Sequence, residues 1–527
     1  MNLNRGADHR FVWSAFCLLI AAIHAFAADP IAIAPAKMRR VAVVDERFQS
    51  FNVEMVEVTG GRFWAPYAKS APTAPEAPPP TQLSTPGINP ALFRARPPTD
   101  FANPRLRRLA AALGPSYVRV SGTWANSTYF HDSDDPPPAN PPAGFGGVLT
   151  RAQWRSAIEF SRAADALLVT SFAVSQGVRE PDGVWTPDQA QKLVAFSHQA
   201  GGRIAAAEFF NEPTFAAVGG APKGYDAAAY GRDFAVFRAF AQKTAPEMLI
   251  LGPGSIGEAF PMAPTFSLLK TEDMLKATVH GIDAFSHHFY GGVSERCGSL
   301  GGAMSTTPDA ALSEAWLSRT DRDQAFYAAL RDRYEPGKPM WLTETGETAC
   351  GGNPWASTFI DSFRYLDQLG RLARRGVQVV AHNTLAASDY GLIDETTLTP
   401  RPNYWSALLW RKLMGTTVLN AESSQTAVHL YAHCLRGQSG GVAVLAINTD
   451  RDAPHVLATS GRSGRYTLTA RNLLNTKVEL NGRELGLGDH DRLPELTAEP
   501  TPAGSLQLPP ASITFLAFPD AGNAICQ

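Results

Sequence analysis

The 527-residue chain has no excess of charge of either sign. Lysine and arginine number 47 against 49 aspartate and glutamate, which gives a formal net charge of −2. Without a global basic field, a protein does not attract nucleic acid or anionic membranes over long range, so we predict neither partner. Charged residues make up 18% and hydrophobic residues 44% of the chain. This balance excludes wholesale disorder and permits a large core.

Long apolar runs are also scarce. The one marked run, Phe11 to Ile23, follows a start that contains Arg5 and Arg10. It is shorter than the roughly 20 residues that a membrane-spanning helix needs. Ala25 to Ala27 then gives the small-x-small pattern of a signal-peptidase site. We predict a signal peptide over residues 1–27 and a secreted or periplasmic protein, with a membrane anchor as the alternative.

Cysteine is rare, with five residues in the chain. Four remain after removal of the predicted signal peptide, and their spacings match no zinc pattern. Four cysteines allow three pairings, and an exported protein meets conditions in which disulfides form. A Gly-x-Gly-x-x-Gly fingerprint is missing after the first predicted strand, which argues against a dinucleotide fold. We therefore predict no metal and no organic cofactor.

Short apolar strands and amphipathic helices alternate about eight times after residue 51, with helices expected, for example, over Thr150–Ala166 and Pro308–Tyr334. Such alternation indicates a parallel sheet with helical crossovers, and eight units favour a closed (β/α)8 TIM barrel. A proline-rich stretch over Ala71–Pro98 interrupts the first unit. We interpret it as an extended loop within the barrel, with an interdomain linker as the alternative.

Beyond about Gly415 the chain contains only short β-rich runs separated by turn residues, which predicts a β-sandwich. The predicted organisation is a signal peptide over 1–27, an N-terminal segment over 28–50 that joins the sandwich, a catalytic barrel over 51–414 and a β-sandwich domain over 415–527.

Two predicted strands end in a carboxylate. The fourth ends in Asn211-Glu212-Pro213 and the seventh in Thr343-Glu344-Thr345. Catalytic side chains of such barrels stand at the carboxyl ends of the strands, and strands four and seven lie across the ring from each other. Two carboxyl groups about 5–5.5 Å apart suit a retaining glycosidase, whereas about 6.5–9.5 Å suits an inverting one. The alternative is that each glutamate caps a helix or pairs with an arginine.

Further motifs make the similarity specific. They are His287-His288-Phe289-Tyr290, Cys350-Gly351-Gly352, Asp389-Tyr390-Gly391, Pro402-Asn403-Tyr404-Trp405 and Leu430-Tyr431-Ala432-His433-Cys434. Together with the two glutamate motifs, they resemble the heparanase and β-glucuronidase family, glycoside hydrolase family 79. The resemblance extends from about Val41 to the C-terminus.

The resemblance implies roles for the site residues. Glu212 is expected to be the general acid/base and Glu344 the nucleophile, with Glu347 as a less favoured nucleophile. Asn211 is expected to bind the sugar 2-hydroxyl, and His288 and Tyr290 to orient the nucleophile, unless these two form only a packed aromatic rim.

Four more positions are assigned through the same resemblance. Backbone amides of Gly351 and Gly352 and the hydroxyl of Tyr390 are expected to bind the glucuronate carboxylate, with an ordinary tight turn as the alternative. Glu54 and Glu258 are further candidates for substrate binding, and a plain surface position is equally expected for Glu258.

The resemblance also pairs Cys434 with Cys526. Cys297 and Cys350 are then expected to form the second disulfide, with two free thiols as the alternative. The sequence departs from the animal heparanases after Asn-Glu-Pro, where Thr214 to Ala217 replaces their lysines.

We therefore expect a monomeric retaining hydrolase that cleaves β-linked glucuronic acid, endo-acting on heparan sulfate-type chains. The alternatives are an exo-β-glucuronidase, a non-catalytic glycan-binding barrel and a retaining barrel glycosidase for neutral sugars or xylosides.

Overall fold

The computed structural model describes residues 29–67, 90–260, 268–278, 280–298 and 304–527. The predicted signal peptide lies outside these residues, as does most of the proline-rich stretch. Where that stretch is described, Phe93–Arg96 pairs antiparallel with Gly61–Trp64. Both strands lie between the first barrel strand and the first barrel helix, as the loop interpretation requires.

Eight parallel strands close into a barrel in the order β4-β5-β6-β7-β8-β1-β2-β3. They are β1 (Gln49–Glu54), β2 (Ser116–Ser121), β3 (Ala166–Ser171), β4 (Ile204–Glu208), β5 (Leu249–Ser255), β6 (Ala284–Tyr290), β7 (Met340–Gly346) and β8 (Val379–His382). Each strand is followed by a main helix: α1 (Pro104–Ala112), α2 (Arg151–Ala163), α3 (Asp188–Gln199), α4 (Ala227–Thr244), α5 (Thr271–Thr278), α6 (Arg319–Tyr334), α7 (Phe359–Arg374) and α8 (Pro402–Leu413). The TIM-barrel prediction is confirmed.

Local sequence sets the ends of these helices. Thr150 caps α2, because its hydroxyl accepts a hydrogen bond from the Gln153 amide while the Gln153 side chain accepts one from the Thr150 amide. Such a reciprocal pair satisfies two amides that have no partner inside the helix. The single helix predicted over Pro308–Tyr334 is wrong. The chain forms a short helix, Glu314–Leu317, and α6 begins only at Arg319.

The barrel interior is layered. Seven strands each contribute one residue to an apolar cluster at the amino end, and the cluster contains Tyr117, Val169, Ala206, Leu251, Ala284, Trp341 and Val379. Side chains two residues apart on a strand share a face. Arg119, Glu208 and Thr343 therefore enter the interior one layer above, toward the carboxyl end.

The second unit is built from two sheets. The larger contains Arg40–Val43, β9 (Met414–Leu419), β10 (Val428–Leu435), β11 (Val442–Asn448), β13 (Ser463–Thr469), β14 (Glu479–Leu480), β15 (Arg483–Glu484), β16 (Glu499–Thr501) and β18 (Ser512–Phe518). The smaller contains Ile31–Ile33, β12 (His455–Thr459) and β17 (Gly504–Leu508). Apolar residues of both sheets share one core, so the sandwich prediction is confirmed.

The N-terminal segment pairs with this sandwich: Arg40–Val43 runs antiparallel to β9, and Ile31–Ile33 runs parallel to β12. The predicted boundaries, 28–50 with the sandwich, 51–414 and 415–527, remain our proposal, with Gln49 and Ser50 already in β1. Among the described residues, every helix is too short or too polar to cross a membrane.

Candidate active site

The two predicted carboxylates meet at the carboxyl end of the barrel. Glu344 lies buried in β7, and Glu212 lies on the loop after β4 with 16% of its side chain exposed. A carboxylate oxygen of each and a ring nitrogen of His288 all lie within 4.8 Å of one another. Both glutamates line one cavity of about 190 Å³, together with Trp64 and Trp124.

The position of Glu344 depends on an irregular register between β6 and β7. His287 pairs with Leu342, but the next residue, His288, pairs with Glu344. Such bulges re-aim side chains next to active sites. Trp341 faces the barrel interior, and on a regular strand a residue three positions later would face the other side. The shift directs Glu344 toward the cavity instead.

Glu212 lies in a strained backbone conformation. Its φ of 49° is in the left-handed region, which costs a residue other than glycine about 1–3 kcal/mol and is concentrated at functional sites. The preceding Asn211 is clamped by Asn126. The Asn126 side chain donates to the Asn211 carbonyl at 2.9 Å and accepts from its amide at 2.8 Å. This clamp fixes the loop that carries Glu212.

Arg119 holds the site together, and the sequence interpretation missed it. Its guanidinium donates to Glu344 Oε2 at 2.9 Å, to Glu208 Oε2 at 2.7 Å and to the Asn211 side chain at 2.7 Å. The signal was present, because a charged residue inside the apolar run Tyr117–Val120 is costly to bury unless it is paired.

The sequence interpretation also missed Glu208, although a charged residue in an apolar strand was the same kind of signal. It is fully buried at the end of β4 and accepts from Arg119 and from the Thr343 hydroxyl, the latter at 2.7 Å. Burial alone would favour its protonated form, but Arg119 and His288 hold the pKa of Glu208 far below its ordinary value. Glu208 is therefore a permanent anion that keeps Arg119 in place.

His288 lies between the two predicted catalytic glutamates. Its Nδ1 is 3.1 Å from Glu212 Oε1 and 3.7 Å from Glu344 Oε2. Burial alone would lower the pKa of His288, but Glu344, together with Glu208 and Glu212, raises it to about 9. The imidazole is therefore cationic at neutral pH.

The pKa of Glu212 is raised. Burial is the main cause, Glu344 adds to the rise, and the His288 cation partly offsets it. A raised pKa keeps more of a carboxyl group in the protonated form that a general acid needs.

One wall of the cavity is a hydrogen-bonded cluster around Asn383, another residue that the sequence interpretation missed. Its side-chain amide donates to Glu54 at 3.0 Å, to the Tyr290 hydroxyl at 2.8 Å and to the Tyr390 hydroxyl at 3.2 Å. The Tyr290 hydroxyl donates onward to Glu344 Oε1 at 2.8 Å. The sequence signal for Asn383 was its place directly after β8.

Glu54 lines this wall, and its expected role in substrate binding stays a prediction. Burial, and next the charge of Glu344, raise the pKa of Glu54 well above its ordinary value. Its carboxyl group occupies the space beside Gly122, where a Cβ would come within 1.6 Å of Glu54 Oε2. Gly122, with φ of 90°, therefore makes room for Glu54.

The glycine loop lies behind the cavity surface. Cys350 and Tyr390 line the cavity, whereas Gly351 and Gly352 are buried and do not. A Cβ at Gly351 would meet Trp64 and Ser388 at 2.6 Å, and φ there is 83°. The amides of Gly351 and Gly352 have no hydrogen-bond acceptor among the described residues.

Two glutamates have structural partners instead. Glu258, for which a substrate-binding role and a plain surface position were equally expected, is not among the residues that line the cavity, and its role in substrate binding stays a prediction. Its carboxylate accepts from the amide and hydroxyl of Thr271 at the start of α5. Glu347 is buried and accepts from the Asn353 amide at 2.8 Å and its side chain at 3.0 Å. Burial raises the pKa of Glu347 to about 7.

Both expected disulfides are bonded. Cys297–Cys350 links the loops after β6 and β7 beside the cavity, and Cys434–Cys526 links β10 to the chain end.

Glu212, His288 and Glu344 could in principle hold a metal ion. Their surroundings do not suit one. Arg119 already contributes a positive charge 2.9 Å from Glu344, and His288 is itself cationic at neutral pH.

A TIM barrel with paired carboxylates facing a cavity at its carboxyl end defines this protein as a glycoside hydrolase. The profile of "Glycosyl hydrolase family 79, N-terminal domain" matches residues 100–370, just over half of the chain. The chain belongs to this family, and the predicted resemblance is confirmed.

Curated relatives agree with this assignment. Heparanase of Mus musculus is 29% identical over 497 residues, which cover 81% of this chain and 88% of that protein. Baicalin-beta-D-glucuronidase of Scutellaria baicalensis is 31% identical over 287 residues, which cover 51% of this chain and 50% of that protein.

Solved structures show the same fold. A GH51 arabinofuranosidase from Xanthomonas axonopodis pv. citri superposes with a TM-score of 0.61 at 16% identity over 93% of this chain and 99% of that one. A 4-O-alpha-L-rhamnosyl-beta-D-glucuronidase from Fusarium oxysporum gives 0.58 at 13% identity, over the same shares of the two chains.

Proposed function

We propose that the protein is a retaining β-glucuronidase in which Glu344 is the nucleophile and Glu212 the general acid/base. The observation that carries this proposal is the approach of the two carboxylates to within 4.8 Å. This closest approach of two oxygens fits the roughly 5–5.5 Å between the carboxyl groups of retaining enzymes better than the about 6.5–9.5 Å of inverting ones.

The surroundings favour these roles over the reverse assignment. Glu344 accepts hydrogen bonds from Arg119 and Tyr290, and such donors stabilise the ionised carboxylate that attacks. Glu212 has a raised pKa and is the more exposed of the two side chains, which suits a group that exchanges protons with a leaving group and with water.

The proposed reaction has two steps. Glu344 attacks the anomeric carbon while Glu212 protonates the leaving oxygen, which gives a covalent glycosyl-enzyme. Glu212 then removes a proton from a water molecule, and the resulting hydroxide displaces Glu344 from the sugar. Asn211, fixed by Arg119, is proposed to bind the 2-hydroxyl. His288 positions Glu212, and Tyr290 positions Glu344.

We propose that the substrate's carboxylate is bound by Tyr390 and by amides of the Cys350–Gly352 turn. The hydroxyl of Tyr390 lies at the cavity wall, and the amides of Gly351 and Gly352 lack an acceptor among the described residues.

A panel of aryl β-glycosides tests the proposal. We expect the glucuronide to be hydrolysed at least 100-fold faster, in kcat/KM, than the matching glucoside and xyloside. A preference for a neutral sugar would leave a retaining glycosidase of another specificity, and no hydrolysis of any of the three would favour the non-catalytic barrel.

Cleavage inside heparan sulfate-type chains is the second candidate. The similarity to heparanase over 81% of the chain favours it. The lining of the cavity opposes it, because no lysine or arginine is among the described lining residues, and sulfate groups are normally bound by such side chains. Sizing the products from a defined heparan oligosaccharide separates internal cleavage from release of terminal glucuronate.

We further propose that the enzyme is exported after cleavage behind Ala27 and acts as a monomer on glucuronic-acid-containing glycans. Two disulfides support an oxidising compartment. Mass spectrometry of the intact exported chain tests the cleavage site, and light scattering tests the oligomeric state.

A further inference from the structure

A large cavity lies between the barrel and the sandwich and is separate from the catalytic cavity. Its volume is about 580 Å³, which is within the roughly 300–1,000 Å³ that is usual for ligand sites. The end of α7 lines it from the barrel, and the loop between β9 and β10 together with the start of β10 lines it from the sandwich. None of its described lining residues lines the catalytic cavity.

A second cavity adjoins the first along the N-terminal segment. Its volume is about 420 Å³, and Asn420 and Ala421 line both cavities. Lys37 and Arg39 are exposed side chains in its lining. We call the two cavities together the interdomain groove. Because they adjoin, the groove suits a chain of linked units better than one compact ligand.

Cations outnumber acids along the interdomain groove. The described lining contains the basic side chains Lys37, Arg39, Arg371, Arg374, Arg375 and His429 and the acidic side chains Glu314, Asp321 and Glu422. Burial alone would lower the pKa of His429, but Asp367 raises it, which favours its charged form. The whole chain has a net charge of −2, so this positive charge is a local feature of the groove.

Two of the arginines are available to a ligand. Arg371 is not one of them, because it already pairs with three carboxylates. Arg374 is exposed and lies 6.0 Å from the centroid of the Tyr431 ring, with no ion pair or side-chain hydrogen bond among the described residues. Arg375 is also exposed, and its guanidinium is 3.5 Å from Asp321. A guanidinium presents its donors in a fork that matches the two oxygens of a carboxylate.

The rest of the accessible lining is polar. Asn420 and Thr426 are exposed in the first cavity, and amides and hydroxyls both donate and accept hydrogen bonds, as sugar hydroxyl groups do. Tyr431 is only 3% exposed, and Val41 is the one large apolar side chain among the described lining residues that is exposed. The lining therefore suits a hydroxylated, acidic ligand and not an apolar one.

The catalytic cavity has no comparable charge at its surface. No lysine or arginine is among its described lining residues, and Arg119 is already paired with Glu208 and Glu344. Binding of acidic groups by free arginines is therefore a property that the interdomain groove has and the catalytic cavity lacks.

We propose that the interdomain groove binds a segment of an acidic polysaccharide. Arg374 and Arg375 hold carboxylates of its uronic acids, and Asn420 and Thr426 hydrogen-bond to sugar hydroxyl groups. The exposed cations of the N-terminal segment extend the contact. A second site of this kind raises the local concentration of the polymer at the enzyme. The inference rests on the proposed β-glucuronidase activity for its choice of ligand and adds a second binding site for a polymeric substrate.

The test uses an unsulfated hexasaccharide of alternating glucuronic acid and N-acetylglucosamine and the full-length Glu344→Gln variant, which leaves this ligand intact. Hydrogen exchange of residues 420–427 reports occupation of the groove, and its dependence on ligand concentration gives a dissociation constant for this site alone. We expect slower exchange of this loop with the ligand bound, and weaker binding at high ionic strength, because salt screens exposed charges. A neutral N-acetylglucosamine hexasaccharide should bind the groove at least tenfold more weakly.

Arg374→Ala and Arg375→Ala together, in the Glu344→Gln background, should weaken binding in the groove at least tenfold, because the charge-assisted hydrogen bonds are lost. Arg155→Ala and Arg162→Ala together are the matched control, since both are exposed arginines on α2 and the same charge is removed. Binding should then stay within twofold. In the active enzyme, the substitutions at Arg374 and Arg375 should raise KM for a glucuronic-acid polymer at least threefold and leave kcat/KM for an aryl glucuronide within twofold.

Three results would overturn the inference and leave the β-glucuronidase proposal standing. They are protection confined to segments around the catalytic cavity, equal protection of the loop by the neutral hexasaccharide, and equal protection by poly-L-glutamate, which would show charge attraction without recognition of a sugar. Failure of the proposed activity shows separately, as no hydrolysis in the aryl-glycoside panel, because binding to the Glu344→Gln variant does not depend on turnover.

Discussion

Two buried networks in this protein use the same kinds of residue for different ends. The mouth network (Arg119, Glu208, Glu212, His288 and Glu344) lies at the carboxyl end of the barrel. The junction network (Asp367, Arg371, His429 and Tyr431) joins α7 to β10 of the sandwich.

In the junction network the carboxylate has three donors. Asp367 accepts from His429 and Tyr431, both at 2.6 Å, and from Arg371 at 2.5 Å. Burial alone would raise the pKa of Asp367, but His429 and Arg371 hold it below its ordinary value. Asp367 itself is 1% exposed and does not line the cavity of about 580 Å³ that Arg371, His429 and Tyr431 border.

In the mouth network one carboxylate, that of Glu212, has fewer partners than it could accept. Among the described residues the Glu212 side chain hydrogen-bonds only with His288, and it faces a cavity with 16% of its side chain exposed. Burial of charge by itself thus indicates little about function. A carboxylate that is hydrogen-bonded on one side and open to a cavity on the other indicates a catalytic or binding role.

The largest loss of activity is expected when the proposed nucleophile of the mouth network is replaced. Glu344→Gln should lower kcat by a factor on the order of 10⁴ or more, because the covalent step loses its attacking carboxylate. Steady-state kinetics with an aryl glucuronide measures this. Glu347→Gln is the matched control three residues away and should stay within about threefold of the wild type, since it acts on Asn353 and not on the sugar. Comparable losses in the two variants would contradict the assignment.

The second effect concerns the acid. Glu212→Gln should lower kcat/KM by about 10²- to 10⁴-fold, with a larger loss for substrates whose leaving group is a poor one. Added azide should restore turnover and give a β-glucuronyl azide, because azide needs no general base. An equal loss for good and poor leaving groups would argue that Glu212 only binds the substrate.

The third prediction concerns a substitution that breaks the junction network. Asp367→Asn should lower the free energy of unfolding by about 3 kcal/mol, because it leaves buried cations without their anion, while kcat/KM stays unchanged. Denaturant unfolding monitored with activity assays provides both readouts. A loss of catalysis without loss of stability would mean that the two networks are coupled.

The pH dependence of this effect follows from the lowered pKa of Asp367. Its contribution to stability is present above the ordinary pKa of aspartate and is lost as pH falls through the folded-state pKa. The difference between the wild type and Asp367→Asn should therefore shrink in acid. A difference that grows in acid would contradict the salt-bridge account.

The smallest effect concerns His288. Activity requires protonated Glu212, so the basic limb of the rate profile follows the Glu212 pKa, and the cationic His288 lowers that pKa. His288→Asn should therefore move the basic limb of kcat/KM to higher pH, in addition to a roughly tenfold loss of rate. A basic limb that stays in place, or moves to lower pH, would show that His288 does not lower the pKa of Glu212.

The barrel and the two glutamates at its strand ends could be predicted from the sequence, because both predictions rest on local patterns. Strand and helix periodicity recurs along the chain, and Glu212 and Glu344 each follow an apolar run. Asn383 and Glu208 also stood at strand ends but belonged to no recognised motif. Arg119 was missed because its partners come from β4 and β7, and only barrel closure brings them within hydrogen-bonding distance.

The surroundings of Glu258 could not be predicted for a related reason. Sequence position placed it after β5, but the direction of its side chain depends on Thr271 at the start of α5.

Trapping the intermediate tests the central claim most directly. The enzyme is incubated with 2-deoxy-2-fluoro-β-D-glucuronyl fluoride, digested and analysed by peptide mass spectrometry. We predict a single 2-fluoroglucuronyl adduct on Glu344, with turnover restored on prolonged incubation. An adduct on Glu347 or Glu212, or a product of inverted anomeric configuration with no adduct, would contradict the account.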